Sequence, residues 1–414
     1  MALAIPSAAR FLMAARAARS VGQGTLVVDF ALYLHVLHWS ASAIGMLFFT
    51  SLLLGAIATL LVGPASDRYG AKTFLIGYEL LQILAAVLAA STAATPVLWL
   101  AAILGGFGRG GNGSAGPFAP AEQSWLSRSI PHGMWGKIFH LNTALGLFGM
   151  GAGALLAAFT PFLSRRLSLT QAGAYRILFA AVLVGALLCL VFLYAAKEPP
   201  SAKTPRTFRP EDHAQEPAGD GHARAGYWKP LLVFAGINSL NGFGIGMVGP
   251  LMSYWLHLRF GVGPAAIGPG MAVAFFSAAF MSIYGIRLIR QFGLAGTVLR
   301  LRLAGILLLL GIPFAPTFWL AMVLFVLRSA MNQGSTGSRQ ALFLGLVDSR
   351  HRGLAATVNS LSIQLPRAAG PVLASLFYEA GLLAWPFLIA VSLQGLYLLF
   401  FIRFFRNASG STTG

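Results

Sequence analysis

The chain has 414 residues, 57% of them hydrophobic and 10% charged, with a mean hydropathy of +0.74. Soluble domains carry about 25% charged residues, so this composition suits a bilayer rather than water. A single cysteine, Cys189, and the lack of any Cys/His pair at zinc spacing exclude a disulfide framework and a structural zinc, and the formal charge of +18 gains meaning only once its cations are placed.

A helix crossing the hydrocarbon needs about 20 predominantly apolar residues. Twelve stretches meet that need: 17–38, 42–66, 72–93, 96–126, 134–160, 172–196, 228–257, 264–288, 294–313, 317–346, 352–379 and 382–405. The fourth is diluted by glycines, which membrane helices tolerate because neighbours approach them closely. Between the sixth and seventh lies 197–227, rich in Pro and charge and poor in large apolar residues, which reads as a flexible linker. The expected organisation is a tail over 1–16, a six-helix bundle over 17–196, the linker over 197–227, a second bundle over 228–405 and a tail over 406–414.

Lys and Arg gather in the cytoplasmic loops of membrane proteins. One set of loops and tails, counted with the adjoining span ends, holds 22 of the 29 cations, including Arg10, Arg16, Arg19, Arg68, Lys72, Arg300, Arg302 and Arg339, and the alternate set holds 4. Both termini are therefore expected in the cytoplasm, in an inner or plasma membrane. The net charge is a topology signal and implies no nucleic-acid partner.

The two halves align at a constant offset. Glu122-Gln123 faces Arg339-Gln340, Gly136 faces Gly353, Asn142 faces Asn359 and Gly153 faces Gly370, each pair 217 residues apart. Two parallel six-helix repeats are the pattern of one class of secondary transporter, whose substrate site lies near the midplane between them.

The loop between the second and third spans reads Gly63-Pro64-Ala65-Ser66-Asp67-Arg68-Tyr69-Gly70-Ala71-Lys72. It resembles the loop signature of the major facilitator superfamily, with Ala71 departing from a preferred basic residue. The corresponding second-half loop, from Gly285 to Gly293, lacks the Asp. The resemblance extends to span count, linker and repeat, and implies an all-α fold of twelve helices in two pseudo-symmetric bundles. It also implies a cytoplasmic gate at Gly63, Asp67, Arg68, Gly70 and Lys72. In that gate Asp67 accepts N–H groups at a helix start and Lys72 or Arg68 pairs with Glu122. Arg339 and Arg367 join the gate on the second half.

Ionisable groups at bilayer depth are functional hypotheses by default. Asp29, with Tyr33 one turn on, lies in the first span, and Arg109, with Asn112 at i+3, lies in the fourth. The superfamily lines its central cavity with these spans, so Asp29 is expected to take up a proton or cation and Arg109 to pair with it; a static ion pair is the bland alternative. Arg328, Asn332, Ser335 and Arg339 fall at i, i+4, i+7 and i+11 on one face of the tenth span, which must line a cavity or pack between helices. Asn238 and Asn241 in the seventh span are candidate substrate contacts, and Trp255 reads as an interfacial anchor.

Nothing resembles a phosphate-binding loop, a metal cluster or a nucleophile with its base, so neither cofactor nor catalytic residue is expected. The expected function is secondary active transport of a small organic molecule by alternating access, most simply proton-coupled efflux of a drug-like compound or metabolite by a monomer. Proton-coupled uptake of an organic anion is the alternative. A lipid translocator, a ligand sensor and an intramembrane enzyme are remoter ones.

Overall fold

A computed structural model describes residues 5–107, 116–131, 134–199, 228–344 and 352–410. Arg109 and Asn112, with the greater part of the linker, lie outside the described residues. The described residues form helices α1 Ser7–Val36, α2 Ala41–Tyr69, α3 Ala71–Ser91, α4 Thr95–Gly105, α5 Ala119–Arg128, α6 Trp135–Ala157, α7 Thr160–Arg166, α8 Gln171–Ala195, α9 Trp228–Val248, α10 Met252–Phe260, α11 Pro264–Gly311, α12 Phe318–Leu344, α13 Arg352–Glu379 and α14 Trp385–Gly410. No strand occurs among them. Seven described helical stretches are long and apolar enough to cross a membrane, or eight if the bent pair α9 and α10 is one span.

The ends of these helices follow local chemistry. Ser40 and Thr170 accept hydrogen bonds from Ala43 N and Gly173 N at the starts of α2 and α8, and prolines open α4, α7 and α11, where a missing N–H costs nothing. Between α2 and α3 the chain turns through Gly70 at φ 95°, a conformation that side chains with a Cβ rarely adopt. This is the conformational reason for the glycine in the signature loop.

Three expected limits shift. The first helix begins at Ser7, so Arg10, Arg16 and Arg19 are helical rather than part of a tail. The fourth span is split into α4, a 3₁₀ turn over Gly116–Phe118 and α5. The eighth and ninth spans are the two limbs of α11, which is kinked at Gly293, where φ is 69°.

Each half is packed through its first helix. In the first half α1 lies against α6 and α8, and in the second α9 lies against α13 and α14. The two halves meet along α2 with α13 and α6 with α11. Among the described residues, several cross-half contacts gather at the end where α1 finishes. Ser253 donates to Val27 O at 2.9 Å, Ser42 N donates to Glu379 at 3.3 Å, and the His35 ring lies 5.2 Å from that of His257 and 5.4 Å from that of Tyr254. Trp255, expected at the interface with lipid headgroups, is instead fully buried at this end and donates to Leu383 O at 2.9 Å.

Glycines set the helix separations. A Cβ on Gly153 of α6 would overlap Val21 O and crowd Thr25 N of α1, whereas one on the exposed Gly77 of α3 meets nothing within 4 Å. Gly153→Val is therefore expected to destabilise the protein by about 1–3 kcal/mol, and Gly77→Ala to leave it unchanged or raise it by about 0.5–1 kcal/mol. Thermal unfolding of the two purified variants checks this, and equal melting temperatures would contradict it.

Candidate functional site

The polar interior begins with α1. Thirty residues span about 45 Å, so this helix carries side chains from one face of the bilayer to the other. Arg16 and Arg19 lie on its first half and are almost completely buried. Arg16 donates to Glu122 of α5 at 3.0 Å, and Arg19 donates to Glu79 of α3 at 3.0 Å and also to Glu122. Asn142 of α6 donates to the same Glu122 at 3.2 Å, and the Cys189 thiol of α8 lies 3.7 Å from Arg19. Two cations and two carboxylates, drawn from three helices, thus neutralise one another inside the first bundle.

This arrangement corrects the expected gate. Glu122 is paired with Arg16 and Arg19, not with Lys72 or Arg68. Lys72 reaches across to the end of α8, donating to Tyr194 O at 3.1 Å and Ala196 O at 2.9 Å. Arg68 is exposed, its guanidinium 5.3 Å over the Tyr69 ring. The carboxylate that caps the start of α3 belongs to Glu198, just beyond α8. It accepts from Ala71 N at 2.8 Å, Lys72 N at 3.0 Å and Arg128 Nη2 at 3.0 Å. A helix N-terminus is a ready anion site, and here it ties α3, α5 and the start of the linker into one cluster. Gly63 sits one turn before Asp67 on the same helix, with Pro120 of the α5 start as its neighbour.

Asp29 occupies the second half of α1, about 15 Å along the helix from Arg19. It is 3% exposed, accepts from Thr160 Oγ1 of α7 at 3.2 Å, and its Oδ1 has no partner among the described residues. Tyr33, one turn on, packs its ring 6.1 Å from Tyr175 of α8. Among the described residues, the neighbours of Asp29 and Tyr33 thus come from α7 and α8 of the first half.

In the second half, the expected polar face of α12 is present and buried. Arg328, Ser335 and Arg339 are buried and Asn332 half-buried. Asn332 accepts from Arg302 of α11 at 2.9 Å, and Arg302 also donates to Asn241 of α9 at 3.1 Å. Asn238 donates to Asn359 of α13 at 2.8 Å. Asn238 and Asn241 are fully buried, so they form part of the second bundle's interior rather than a cavity wall. Arg367 is half-buried on α13, where its backbone backs onto Gly246 of α9.

Sequence reasoning assigned Arg16, Arg19 and Arg302 to loops and so missed them as interior residues. The only signal pointing the other way was the need of the buried Glu79 and Glu122 for cations.

Two parallel six-helix bundles, with a left-handed Gly70 and a capped helix start in the loop between the second and third spans, define a secondary-transporter architecture. The sequence profile of the Major Facilitator Superfamily matches residues 12–237. The chain belongs to that superfamily and is a multi-pass membrane protein, and both family and fold point to a transporter rather than an enzyme. No curated protein matches the sequence. Among solved structures, a D-xylose-proton symporter superposes with a TM-score of 0.73 at 17% identity, covering 96% of this chain and 97% of that one. The nucleoside transporter NupG gives 0.70 at 13% identity, covering 96% of this chain and 99% of that one. The xylose transporter XylE from E. coli in an inward-open conformation gives 0.70 at 17% identity, covering 95% of each chain. At these identities the likeness is one of fold.

Leaving one partner of a buried ion pair uncompensated costs about 3–5 kcal/mol. Glu122→Gln is expected to lower the melting temperature of the purified protein markedly, and the double variant Glu122→Gln/Arg16→Met to recover part of the loss by restoring charge balance. An unchanged melting temperature in the single variant would contradict the network.

Proposed function

We propose that the protein is a secondary active transporter of the inner or plasma membrane that moves a small organic molecule by alternating access. It works as a monomer with both termini in the cytoplasm, and proton-coupled export is its direction. The observation that supports proton coupling is Asp29: a buried carboxylate whose second oxygen has no partner among the described residues and which accepts one hydroxyl hydrogen bond. Charge held alone at bilayer depth is costly, and a proton removes that cost. Tyr33 and Thr160 shape the surroundings of the carboxyl group. The cross-half contacts at the end where α1 finishes support access from the opposite end, the cytoplasmic one by the distribution of cations, where an exported molecule would enter.

In this reading the clusters at the α1-start end form the gate. Glu198, Arg128 and Lys72 hold α3 to the ends of α5 and α8, with Gly70 as the turn. Asp67, Arg68 and Gly63 complete the loop, and Arg339 and Arg367 stand on the second half. Arg109 and Asn112 are assigned beside the proton site by the superfamily resemblance. Uptake of an organic anion is the second reading, favoured by the buried arginines of α11 and α12.

Proton coupling is testable without knowing the substrate. Proteoliposomes loaded with a fluorescent pH reporter are challenged with cationic dyes, organic acids, sugars and nucleosides. At least one class is expected to move protons with the wild type. Asp29→Asn is expected to abolish that proton movement while keeping the thermal stabilisation by the same compound. Undiminished proton movement in Asp29→Asn would overturn the assignment.

A further inference from the structure

The two bundles carry the same buried polar frame with its charges exchanged. Gly24 of α1 backs onto Met150 of α6, and Gly246 of α9 backs onto Arg367 of α13. Residue 367 is 217 beyond 150, the offset of the repeat, and 246 is 222 beyond 24. At that second spacing Arg16 and Arg19 of α1 correspond to Asn238 and Asn241 of α9. Glu122 of α5 corresponds to Arg339 of α12, and Asn142 of α6 to Asn359 of α13. Contact partners complete the match: Glu79 of α3 accepts from Arg19, and Arg302 of α11 donates to Asn241. One frame therefore reads Arg, Arg, Glu, Glu, Asn and the other Asn, Asn, Arg, Arg, Asn.

The first frame is neutral, and the second carries two cations with no counter-charge among the described residues, with Arg328 about three turns from Arg339 along the same helix. Arg302, Arg328 and Arg339 are 3%, 5% and 8% exposed, and Arg328 and Arg339 lie within Coulombic reach of Arg302, repelling it. Among the described residues, Arg302 is met by the amide oxygens of Asn241 and Asn332 and by the Tyr397 ring, 5.9 Å away. Arg302 Nε, Arg328 Nε, Arg339 Nη1 and Asn241 Nδ2 are buried donors with no acceptor among the described residues. Beyond residue 228 the sequence holds two acids, Asp348 and Glu379. Glu379 ends α13 and meets Ser42 N at the far end of the molecule, and Asp348 lies outside the described residues.

We propose that the second bundle holds a small oxyanion, a carboxylate or phosphate group, between Arg302, Arg339 and Asn241, in the place that Glu79 and Glu122 fill chemically in the first bundle. An oxyanion supplies the acceptors that these donors lack and the charge that these cations need. The inference is independent of Asp29 and of the direction of transport. It applies whether the group is a resident inorganic ion or the charged end of a cargo molecule.

The test uses the full chain purified in detergent and freed of phosphate and carboxylates, titrated at constant ionic strength with inorganic phosphate, acetate or chloride. Phosphate or acetate is expected to raise the melting temperature saturably by several degrees, as a ligand of the native state does, and chloride to do so less. Arg302→Gln and Arg339→Gln should each weaken the apparent affinity at least tenfold. Asn241→Asp, which supplies the missing carboxylate internally, should raise the melting temperature in anion-free buffer and abolish the response. This gain of stability separates the proposal from simple damage to the fold. Asp348→Asn, and a variant with Glu211, Asp212, Glu216 and Asp220 all changed to amides, should keep the wild-type response.

A wild type with no saturable response, or a response retained in Arg302→Gln and Arg339→Gln, overturns the proposal. So does a response that appears only when Asp348 or the linker acids are neutralised, since the chain would then provide its own counter-charge. Flux of labelled phosphate and acetate into proteoliposomes distinguishes cargo from a resident ion, and either outcome is compatible with the site only if the thermal response is present.

Discussion

The interior of this protein is governed by the cost of holding charge away from water. Within the bilayer an ionised side chain needs an opposite charge, a set of hydrogen bonds or a proton. Helix α1 meets that constraint in two ways along its length. Its first half brings Arg16 and Arg19 to Glu79 and Glu122, closing a neutral network across α3 and α5. Its second half brings Asp29 to a single hydroxyl, that of Thr160. The same helix therefore carries a balanced cluster and, among the described residues, a carboxyl group without a counter-charge.

Close approach of helices makes such placements possible. Gly153 lets α6 lie against the backbone of α1 at Val21, and Gly246 does the same for α9 against α13. Side chains on α1 and α9 are thereby held inside their own bundles, and each bundle is tied together as a unit. Contacts between the units, by contrast, run along α2 with α13 and α6 with α11 and include the small polar and aromatic groups around Ser42, His35 and Ser253. Glycines give close approach at this seam as well, at Gly45 against Ser375 and Gly268 against Ala154, and among the described residues the ion pairs lie in the first half. Folds of this kind host many cargoes, so the fold by itself names none.

The repeat also shows how one scaffold accommodates two charge patterns. Asn142 and Asn359 retain both their place and their role as hydrogen-bonding partners of the frame. The charged positions around them are exchanged. Asn238 and Asn241 stand where arginines stand in the first half, and arginines stand where it has glutamates. The frame keeps its positions along the repeat while its formal charge changes from zero in the first bundle to two positive charges in the second.

Much of the architecture could be read from residue order alone, because bilayer thickness imposes a length on apolar runs and a repeat imposes an offset on their punctuation. The all-α class, the two bundles, the buried polar face from Arg328 to Arg339 and the loop with Gly70 followed from these one-dimensional rules. The partners of charged residues did not. Arg16, Arg19 and Arg302 read as loop cations because hydropathy assigns charge to water; their burial depends on carboxylates and amides that lie 30 to 106 residues away in sequence. Glu122 chose Arg19 over Lys72, and Glu198 became the cap of α3, through distances that only helix packing sets. Composition and periodicity thus determined which segments enter the membrane, whereas tertiary structure decided which charges inside it are neutralised, because Coulomb energy in a low dielectric depends on separation in space and not along the chain.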